Sequence, residues 1–458
     1  MKKITFFVAL FATISNLYCQ FSDLNDIGIL FSQDQRNGTA RFNAMAGAFG
    51  ALGSDVSATD INPAGAAVAR KSKVSFTLDN TINDLDVNYY GNTNNLQDER
   101  FNFSQLGAIL VVDTNSKSNW NRVALSFNYK LKADFDRTFR GNGNSNLISF
   151  DEHINDSNTP TILFDRSLSQ DFSKETTGQN SVFNLGLSAV HDNKLYVGAS
   201  LKFHSLEYRE RAFFRERNDE VNGNILTAEE SFDRFIDGQG FSFNVGFIYK
   251  INKFMRIGAA YESPTWYQDV VEEEAYDLFM AGIQNLGISA GEESNFFGPN
   301  ALRFRTPSKL TASGAFIFGK DGLISLDYTY RDFRNVTYIT DVSTRNPDGS
   351  FFDPNDFFAT DYRATHALNL GAEWRFERLS VRGGYFYEQN PNLREGGNTN
   401  TDNYKGFTAG LGYNFGNTQV GLSYLNAQTD EFYSIYNTGD VTINNSNSRI
   451  SASVTFSL

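Results

Sequence analysis

The chain of 458 residues is poor in cysteine, with one residue of that type, and has only four histidines. A single cysteine, Cys19, excludes a disulfide framework and a zinc site built from cysteine ligands. The histidines His153, His191, His204 and His366 stand far apart, so no two of them have the spacing of metal or haem ligands. We therefore predict no metal and no cofactor.

Basic residues are also scarce relative to acidic ones. The 40 lysines and arginines against 53 aspartates and glutamates give a formal net charge of -13. A nucleic-acid partner would require a basic face, so that class of partner is excluded. No apolar run approaches the roughly 18 to 20 residues of a transmembrane helix. If the chain spans a membrane it must do so as a closed barrel, because a bilayer admits only helices or closed sheets.

Aromatic side chains are abundant. The chain has 43 phenylalanines and 21 tyrosines, and aromatic residues make up 15% of it, yet its mean hydropathy is -0.39. This mixture is unusual for a soluble core. It is expected of a membrane barrel, in which aromatic girdles and a lipid-facing row alternate with a polar lumen.

The first nineteen residues have the pattern of an export signal. Lys2 and Lys3 form a basic start, and the apolar stretch after them is too short to span a membrane. We predict cleavage after Cys19, which leaves the mature chain without cysteine. Lipidation of Cys19 is a weaker alternative, because the bulky Tyr18 stands where a lipobox has a small residue.

Residues 20–72 are rich in glycine and alanine and do not alternate like strands. Apolar residues at helical spacing predict a helix over residues 40–52, with one side left bare by glycines for close backbone approach. A dinucleotide-binding loop is the alternative, but the segment has no G-x-G and no βαβ unit follows. We predict a compact hatch that plugs the lumen, with Gly47, Gly50, Asn62, Pro63 and Ala64 as its motif residues.

From Lys73 to the last residue, apolar and polar side chains alternate. On the third strand, for example, Leu125 and Phe127 alternate with Ser126 and Asn128, and the chain ends on a strand at Leu458. The pattern predicts fourteen strands, an even number that suits barrel closure. Their predicted ranges are 73–84, 100–113, 119–136, 178–191, 194–212, 236–250, 253–265, 302–319, 322–335, 363–377, 379–389, 402–416, 418–428 and 446–458.

Connections between the strands alternate in length, which distinguishes a barrel from a β-sandwich. Tight turns such as Ile251-Asn252 and Gly416-Asn417 alternate with long polar segments. Short turns on one side and long loops on the other are typical of an outer-membrane barrel with both termini in the periplasm. The long loops are predicted at 137–177, 213–235, 266–301, 336–362 and 429–445.

Together these features resemble the FadL/TodX family of outer-membrane hydrophobic-compound transporters, in a Bacteroidetes-like branch. The local match covers Gly47-Ala48, Gly50, residues 55–58 and residues 62–65, and the architectural match covers the whole chain. The resemblance implies residues 1–19 as signal peptide, 20–72 as hatch and 73–458 as a fourteen-stranded antiparallel transmembrane β-barrel. It also implies passive uptake of long-chain fatty acids or other hydrophobic molecules, contact with outer-membrane lipid, and no enzymatic chemistry.

In that family a hydrophobic ligand meets a groove among the outer loops and then a lumen pocket. Apolar and aromatic contacts suit the tail of such a ligand, and basic groups suit a carboxylate head. Ordinary packing is the simpler interpretation for any one aromatic side chain, and a wet lumen also accounts for the basic ones. The candidates for the tail are Phe21, Phe139, Phe150, Phe164, Tyr276, Phe279, Phe296 and Phe297, and those for the head are Lys130, Lys132, Arg303 and Arg305.

Three alternatives remain. A general porin would have an open lumen, which the hatch argues against, and a haemin receptor would need ligands from distant elements. A hydrolase would need a serine activated by His204 or His366, but the chain has no G-x-S-x-G motif. The acidic run 272–274 has oxygen ligands for Ca²⁺, although a solvated surface is the simpler interpretation.

Overall fold

A closed antiparallel barrel of fourteen strands encloses a small N-terminal helical segment, so the predicted fold class is confirmed. The structure is a computed structural model that describes residues 24–114, 119–152, 162–284, 287–339, 344–345, 351–393, 402–433 and 441–458. The predicted signal peptide, Cys19 and Phe21 lie outside these described residues.

The wall strands are numbered in chain order, and three of them are interrupted. They are β1 Lys73–Tyr89, β2 Asn92–Asp113, β3 Trp120–Asp134 with Arg137–Gly143, β4 Arg166–His191, β5 Leu195–Asp219, β6 Ile225–Lys250, β7 Met255–Glu262 with Trp266–Gln284, β8 Gly287–Arg305 with Lys309–Phe318, β9 Gly322–Asp332, β10 Ala364–Phe376, β11 Leu379–Glu388, β12 Tyr404–Asn414, β13 Thr418–Tyr433 and β14 Val441–Ser457. The α-helices are α1 Leu24–Ser32, α2 Ala40–Ala44, α3 Ala58–Ile61 and α4 Pro354–Asp361. Two 3₁₀ helices, Pro63–Val68 and Phe333–Asn335, and three two-residue strands, Thr337–Tyr338, Thr344–Arg345 and Phe351–Phe352, complete the described elements.

The first and last strands close the barrel. Lys73 of β1 lies opposite Ser457 of β14, and the register continues without a shift to Tyr89 opposite Val441. Each remaining wall strand pairs with its neighbours in chain order. We call the end at which β1 begins the turn end, and the opposite end the loop end.

Side chains alternate between the lumen and the outside as the sequence predicted. On β14, Ile450 and Phe456 are exposed on the outside, whereas Ser451 and Ser453 are buried on the lumen side. Exposed apolar side chains of this kind recur around the wall and form the lipid-facing belt of a membrane barrel. None of the described helices is long and apolar enough to cross a membrane.

Two of the predicted long loops are mostly strand and a third is partly strand, so that part of the prediction was wrong. Residues 213–235 continue β5 and β6 to a turn at 220–224, and residues 266–301 form the β7–β8 hairpin. The predicted loop 137–177 contains the end of β3 and the start of β4. As a result, β4 to β8 rise well above the membrane belt at the loop end, whereas β9 to β12 are short.

The extended strands escaped prediction because their outer faces are charged rather than apolar. Cross-strand ion pairs join Arg209 to Asp233 at 3.0 Å and Arg215 to Glu229 at 2.8 Å. Such pairs stabilise a sheet in water without the hydrophobic alternation that identifies a strand in lipid. The other two predicted loops also contain regular structure, since 336–362 includes α4 and 429–445 is partly taken up by the ends of β13 and β14.

A bulge and a break divide β3 above the lipid-facing half of the strand. Pairing between β2 and β3 ends at Gln105 opposite Lys130, and the register with β4 shifts between Leu131 and Ala133. Beyond this point the described residues of β3 form no backbone ladder with β2, and Phe135 is a buried side chain of the lumen. The wall therefore has a gap in its backbone pairing between β2 and β3 on the loop-end side of Lys130, which the side chains of Arg100 and Asn102 bridge to Asp134 at 2.9 and 2.7 Å.

The helix predicted over residues 40–52 is shorter in the structure. Helix α2 ends at Ala44, and Ala46 and Gly47 adopt positive φ angles of 52° and 76°. Glycine adopts this conformation at no steric cost, so Gly47 ends the helix instead of continuing its bare face. The rest of the segment forms turns, α3 and a 3₁₀ helix inside the barrel.

Candidate functional site

The N-terminal segment is held against wall strands that present glycine. A side chain at Gly198 would come within 2.5 Å of Ala64 N, and one at Gly258 within 2.8 Å of Gly50 O. Eight inward-facing glycines approach the segment in this way, and we call them the glycine ring. They are Gly107, Gly198, Gly246, Gly258, Gly371, Gly384, Gly410 and Gly421, one each on β2, β5, β6, β7, β10, β11, β12 and β13.

Asn62 fixes the segment to the wall. Its Nδ2 donates to Gly50 O at 2.8 Å and to Phe247 O at 2.9 Å, and its Oδ1 accepts from Ala64 N at 3.1 Å. Pro63 begins the 3₁₀ helix that Asn62 caps. Gly50 N donates to Asp327 of β9 at 2.8 Å. The structure thus brings the predicted motif residues Gly50, Asn62, Pro63 and Ala64 together at the contact between hatch and wall.

The lumen side of β5 gives the order of layers above the hatch. Gly198 touches the hatch, Lys202 and His204 follow, and Leu206 and Tyr208 come next toward the loop end. A layer of charges therefore lies directly above the hatch, and an apolar layer lies above the charges.

The charged layer, which we call the charge belt, is joined through two carboxylates. Asp34 lies 3.0 Å from Lys309 and 3.5 Å from Lys132, and it also pairs with Arg331. Glu262 lies 2.6 Å from Lys202 and 3.1 Å from Lys309. Asp60 of the hatch accepts from two wall asparagines and lies 3.7 Å from Lys130. The belt consists of Lys130, Lys132, Lys202, Lys309 and Arg331 against Asp34, Asp60 and Glu262, an excess of two positive charges.

Electrostatics favour the ionised form of Asp34 strongly. Burial alone would raise its pKa, but the charges of Lys309, Arg331 and Lys132 outweigh burial and hold the pKa well below its ordinary value. Asp34 is therefore a carboxylate held by three cations in the middle of the lumen.

The apolar layer is a chamber filled by helix α1. The ring centroid of Phe31 in α1 lies 5.6 Å from the ring centroids of both Phe135 and Tyr208, and 5.9 Å from that of Phe304. Tyr362 Oη donates to Asp26 Oδ1 at 3.0 Å, which ties α1 to the end of α4. The chamber is built from Ile27, Ile29, Phe31, Ala133, Phe135, Leu206, Tyr208, Ile236, Tyr267, Val270, Leu302, Phe304, Phe333, Val336, Tyr338, Phe358 and Tyr362.

Four of the predicted tail contacts lie nearer the loop end, above the chamber. Phe139 belongs to one apolar cluster and Phe164 to a second, while Phe150 packs against both. Tyr276 packs against the second cluster. These side chains therefore form a pair of adjoining clusters within the extended strands, outside the chamber.

The remaining predicted contacts do not converge on the lumen. Phe279 and Phe296 lie exposed on the outer face of the β7–β8 hairpin, and Phe297 is 53% exposed. Arg303 and Arg305 are also exposed, beside the inward-facing Phe304, so the prediction that they line the lumen was wrong. Of the predicted basic residues, Lys130 and Lys132 alone belong to the charge belt.

Sequence reasoning missed most of the chamber and belt because their residues come from distant segments. The apolar run Ile27–Phe31 was one available signal, since it precedes the hatch motif and has no strand pattern. Lys202 and His204 at consecutive inward positions of β5 were another. Neither signal identifies its partners without the register of the barrel.

The two histidines considered as catalytic bases lie on opposite faces of the wall, His204 toward the lumen and His366 on the outer face. His204 Nε2 lies 2.9 Å from Ser242 Oγ, but Nδ1 has no hydrogen-bond partner in the described ranges, so no third group orients the ring. His366 Nδ1 bonds Tyr328 Oη at 2.6 Å on the outer face. Across the described residues no group of three His, Cys, Asp or Glu side chains could hold a metal, and Glu272 and Glu274 pair with Arg234.

Comparison with solved structures identifies proteins that share this architecture. No protein-family model and no curated protein matches the chain. A FadL homologue from Pseudomonas aeruginosa is 14% identical with a TM-score of 0.58, over 93% of this chain and 99% of that one. This chain has the FadL fold. The monoaromatic hydrocarbon channel CymD is 14% identical with a TM-score of 0.54 over 92% and 98%, and the Pseudomonas putida toluene transporter TodX is 16% identical with 0.52 over 93% and 99%.

At this level of identity the likeness extends to the fold alone. The ligand chemistry of this FadL-fold barrel therefore rests on its own lumen: an apolar chamber, a belt with an excess of positive charge, and a hatch beneath both.

Proposed function

We propose that this FadL-fold barrel carries hydrophobic small molecules with an anionic head, of the long-chain fatty acid kind, passively across the outer membrane. The observation that carries the proposal is the apolar chamber directly above a belt of excess positive charge. Its structural neighbours, a FadL homologue, a monoaromatic hydrocarbon channel and a toluene transporter, support transport of hydrophobic molecules in general.

Helix α1 and Asp34 together resemble the proposed ligand chemically, with an apolar part followed by a carboxylate. An apolar segment, with Ile27, Ile29 and Phe31, fills the chamber, and a carboxylate follows it in the belt. A fatty acid has the same arrangement of tail and head. We propose that the ligand replaces α1 in the chamber while its carboxylate replaces Asp34 beside Lys132, Lys309 and Arg331.

The charge belt favours an anionic amphiphile over a neutral hydrocarbon. A neutral ligand gains the apolar contacts but cannot take over the charge of Asp34. Displacing Asp34 would leave Lys132 and Arg331 without their closest carboxylate and Lys309 with Glu262 alone. A carboxylate ligand restores the pairing. The adjoining clusters around Phe139, Phe150, Phe164 and Tyr276 are proposed as the first contact site, where the ligand enters from the loop end.

The proposed topology has residues 1–19 as signal peptide, 20–72 as hatch and 73–458 as barrel, with the turn end and both termini in the periplasm. For the exit we propose the gap between β2 and β3. Gln35 N donates to Lys132 O at 2.8 Å and Asn37 Nδ2 to Leu131 O at 2.7 Å, so the hatch satisfies the backbone of β3 where β2 no longer does.

The alternatives have less support. A general porin requires an open lumen, whereas the hatch and α1 lie across this one. A haemin receptor requires axial ligands in the chamber. His204 is the described histidine nearest the chamber, and its Nε2 is engaged by Ser242.

Uptake into liposomes tests the proposal. The full chain is reconstituted, and uptake of oleate is compared with uptake of toluene as the neutral ligand. Lys309→Gln should reduce oleate uptake by roughly tenfold, because it removes a charge-assisted contact to the head, and should change toluene uptake little. Arg305→Gln, on the outer face of the same strand, is the matched control and should behave as wild type.

Oleate uptake no faster than in protein-free liposomes would overturn the proposed function. Equal loss of oleate and toluene uptake in Lys309→Gln would instead overturn the role of the belt in head-group selection.

A further inference from the structure

A small cavity lies at the turn end, below the hatch, between the hatch and the wall. It is lined by Arg41 and Asp55 of the hatch, Lys73 at the start of β1, Arg382 of β11, and the polar side chains of Gln419 and Thr455. Gln419 follows the turn after β12 and is exposed, so the cavity opens at the turn end. The cavity is separate from the chamber, which lies on the other side of the hatch.

The lining of this cavity carries an excess of positive charge. Three cations, Arg41, Lys73 and Arg382, face one carboxylate, Asp55. Asp55 already accepts hydrogen bonds from Thr39 Oγ1 at 2.9 Å and Ser57 N at 3.0 Å. Its charge is thus partly engaged by the hatch itself.

The carboxylate behind the cavity does not remove the excess. Glu373 pairs with Arg41 at 2.6 Å and with Arg382 at 2.8 Å, and it also pairs with Arg375. Both of its oxygens are therefore shared among three guanidinium groups. Counting Arg375 and Glu373 with the lining, four cations face two carboxylates.

Arg382 offers unused donors to the cavity. Its Nε donates to Glu373, whereas Nη1 and Nη2 have no hydrogen-bond partner in the described part of the chain. The guanidinium lies against the backbone of Gly412, where a Cβ would come within 2.4 Å of Nη1 and 2.6 Å of Nη2. A fork of two free N–H groups held in place by its surroundings matches the geometry of a carboxylate or phosphate.

We propose that this cavity binds an anionic group, a carboxylate or a phosphate, that enters from the turn end. The anion accepts hydrogen bonds from Arg382 and is balanced by Arg41 and Lys73. Because Arg41 belongs to the hatch and the other two cations to the wall, a bound anion joins hatch to wall. Occupancy should therefore stabilise the seated hatch, since a ligand stabilises the state to which it binds.

Anion binding is independent of the proposed transport function, so its test contains no hydrophobic ligand. The full folded chain in detergent micelles is titrated with inorganic phosphate in a calorimeter, with chloride at matched ionic strength as the reference. Hydrogen exchange of residues 39–55 is followed in the same buffers. A saturable heat together with slower exchange in phosphate is the expected result.

Variants assign the binding to the cavity. Arg382→Gln should weaken phosphate binding by roughly tenfold or more, because it removes charge-assisted hydrogen bonds. Arg375→Gln is the matched control, since Arg375 pairs with the same Glu373 but does not line the cavity, and it should weaken phosphate binding far less than Arg382→Gln does. Gly412→Ala, which displaces the Arg382 guanidinium without removing a charge, should weaken binding in the same direction and serves if Arg382→Gln fails to fold.

Acetate and glycerol phosphate, each titrated at the same concentrations, distinguish the source of the anion. Tighter acetate assigns the site to carboxylates, and tighter glycerol phosphate assigns it to lipid head groups. A heat that does not saturate with any of the three anions, or equal phosphate affinity in wild type, Arg382→Gln and Gly412→Ala, would overturn the proposal.

Discussion

At the scale of single residues, hydrogen bonds to backbone atoms decide where the hatch sits. Asn62 uses one amide group to join three partners: the hatch turn at Gly50, wall strand β6 at Phe247, and the first turn of its own 3₁₀ helix at Ala64. The side chain is buried, so each partner would be left unsatisfied without it.

Asn62→Ala should loosen the hatch while the barrel remains folded. Loss of these bonds should lower the free energy of hatch opening by about 2 to 3 kcal/mol. Hydrogen exchange of residues 40–68 measures that free energy. Asn88→Ala, which removes an exposed amide that bonds Asn444, is the control. Unchanged exchange in Asn62→Ala would show that the wall contacts alone seat the hatch.

Asp34 should make the position of α1 resistant to moderate acid. Its pKa is held well below the ordinary value of about 3.9, so its stabilising contribution is fully present above that value and is lost as the pH falls through the lower pKa of the folded state. The protection of residues 26–37, corrected for the pH dependence of intrinsic exchange, should therefore stay constant from pH 7 down to about pH 4, where an aspartate of ordinary pKa would be nearly half protonated.

Asp34→Asn should release α1 at every pH in this range, because three cations lose their shared counter-charge. Breaking a buried pair on one side costs about 3 kcal/mol or more. Asp321→Asn, in an exposed turn, should leave the exchange of residues 26–37 unchanged. Wild-type protection of α1 in Asp34→Asn would contradict the assigned role of the belt.

At the scale of elements, the sequence predicted what local pattern controls and missed what packing controls. The strand alternation and the Asn62-Pro63-Ala64 segment were identified because lipid imposes period two and caps use few residue types. The predicted length of α2 was wrong because Ala46 and Gly47, which lie against the wall, adopt positive φ angles that end the helix. The chamber was missed because Phe31, Tyr208 and Phe304 meet through folding alone.

In the proposed function, the packing of helix α1 in the chamber competes with the ligand. Phe31→Ala should weaken its hold on the chamber by about 3 kcal/mol or more, as expected for a buried phenylalanine. The affinity for oleate should then rise, because the ligand displaces a weaker occupant. Fluorescence titration with a fatty-acid probe measures the change, and Leu30→Ala, at the edge of the same cluster, is the control. Weaker oleate binding in Phe31→Ala would mean that Phe31 contacts the ligand instead of competing with it.

The glycine ring should tolerate no side chain where the hatch is closest. A Cβ at Gly198 would come within 2.5 Å of Ala64 N, so Gly198→Ala must shift the 3₁₀ helix. We expect faster exchange of residues 58–68 and larger single-channel conductance in planar bilayers. Gly314→Ala adds the same methyl group to open space and should change neither measurement.

At the scale of the whole molecule, closure of the barrel and its uneven rim were predictable to different degrees. Closure follows from an even number of strands in which apolar and polar residues alternate. The uneven rim does not follow from the sequence pattern, because β5 and β6 continue into water through charged pairs such as Arg209–Asp233 and not through an apolar alternation. Prediction therefore succeeded inside the membrane, where lipid constrains the sequence, and failed above it.

The seam between β1 and β14 should be essential for the whole barrel. Val454 lies opposite Phe76 on one side and Val420 on the other. Val454→Pro removes a backbone donor from this ladder and should cost about 3 kcal/mol or more. The folded fraction in micelles, read from heat-modifiable gel mobility and urea midpoint, should fall. Val221→Pro, in the exposed β5–β6 turn, is the control and should fold normally. An equal loss of folded fraction in the two variants would mean that proline lowers the refolding yield in general and does not act through the seam.

The glycine ring also has a kinetic consequence. Where two surfaces interlock through side chains, one can move past the other only after many rotamers change. Here the wall meets the hatch with backbone atoms at eight places, so the hatch can slide without rearranging the wall at those contacts. The resistance to its movement then comes from the polar contacts between hatch and wall, among them those of Asn62, Asp60 and Asp34. In the proposed function, a ligand that replaces Asp34 in its ion pairs lowers that resistance and so raises the rate of hatch movement.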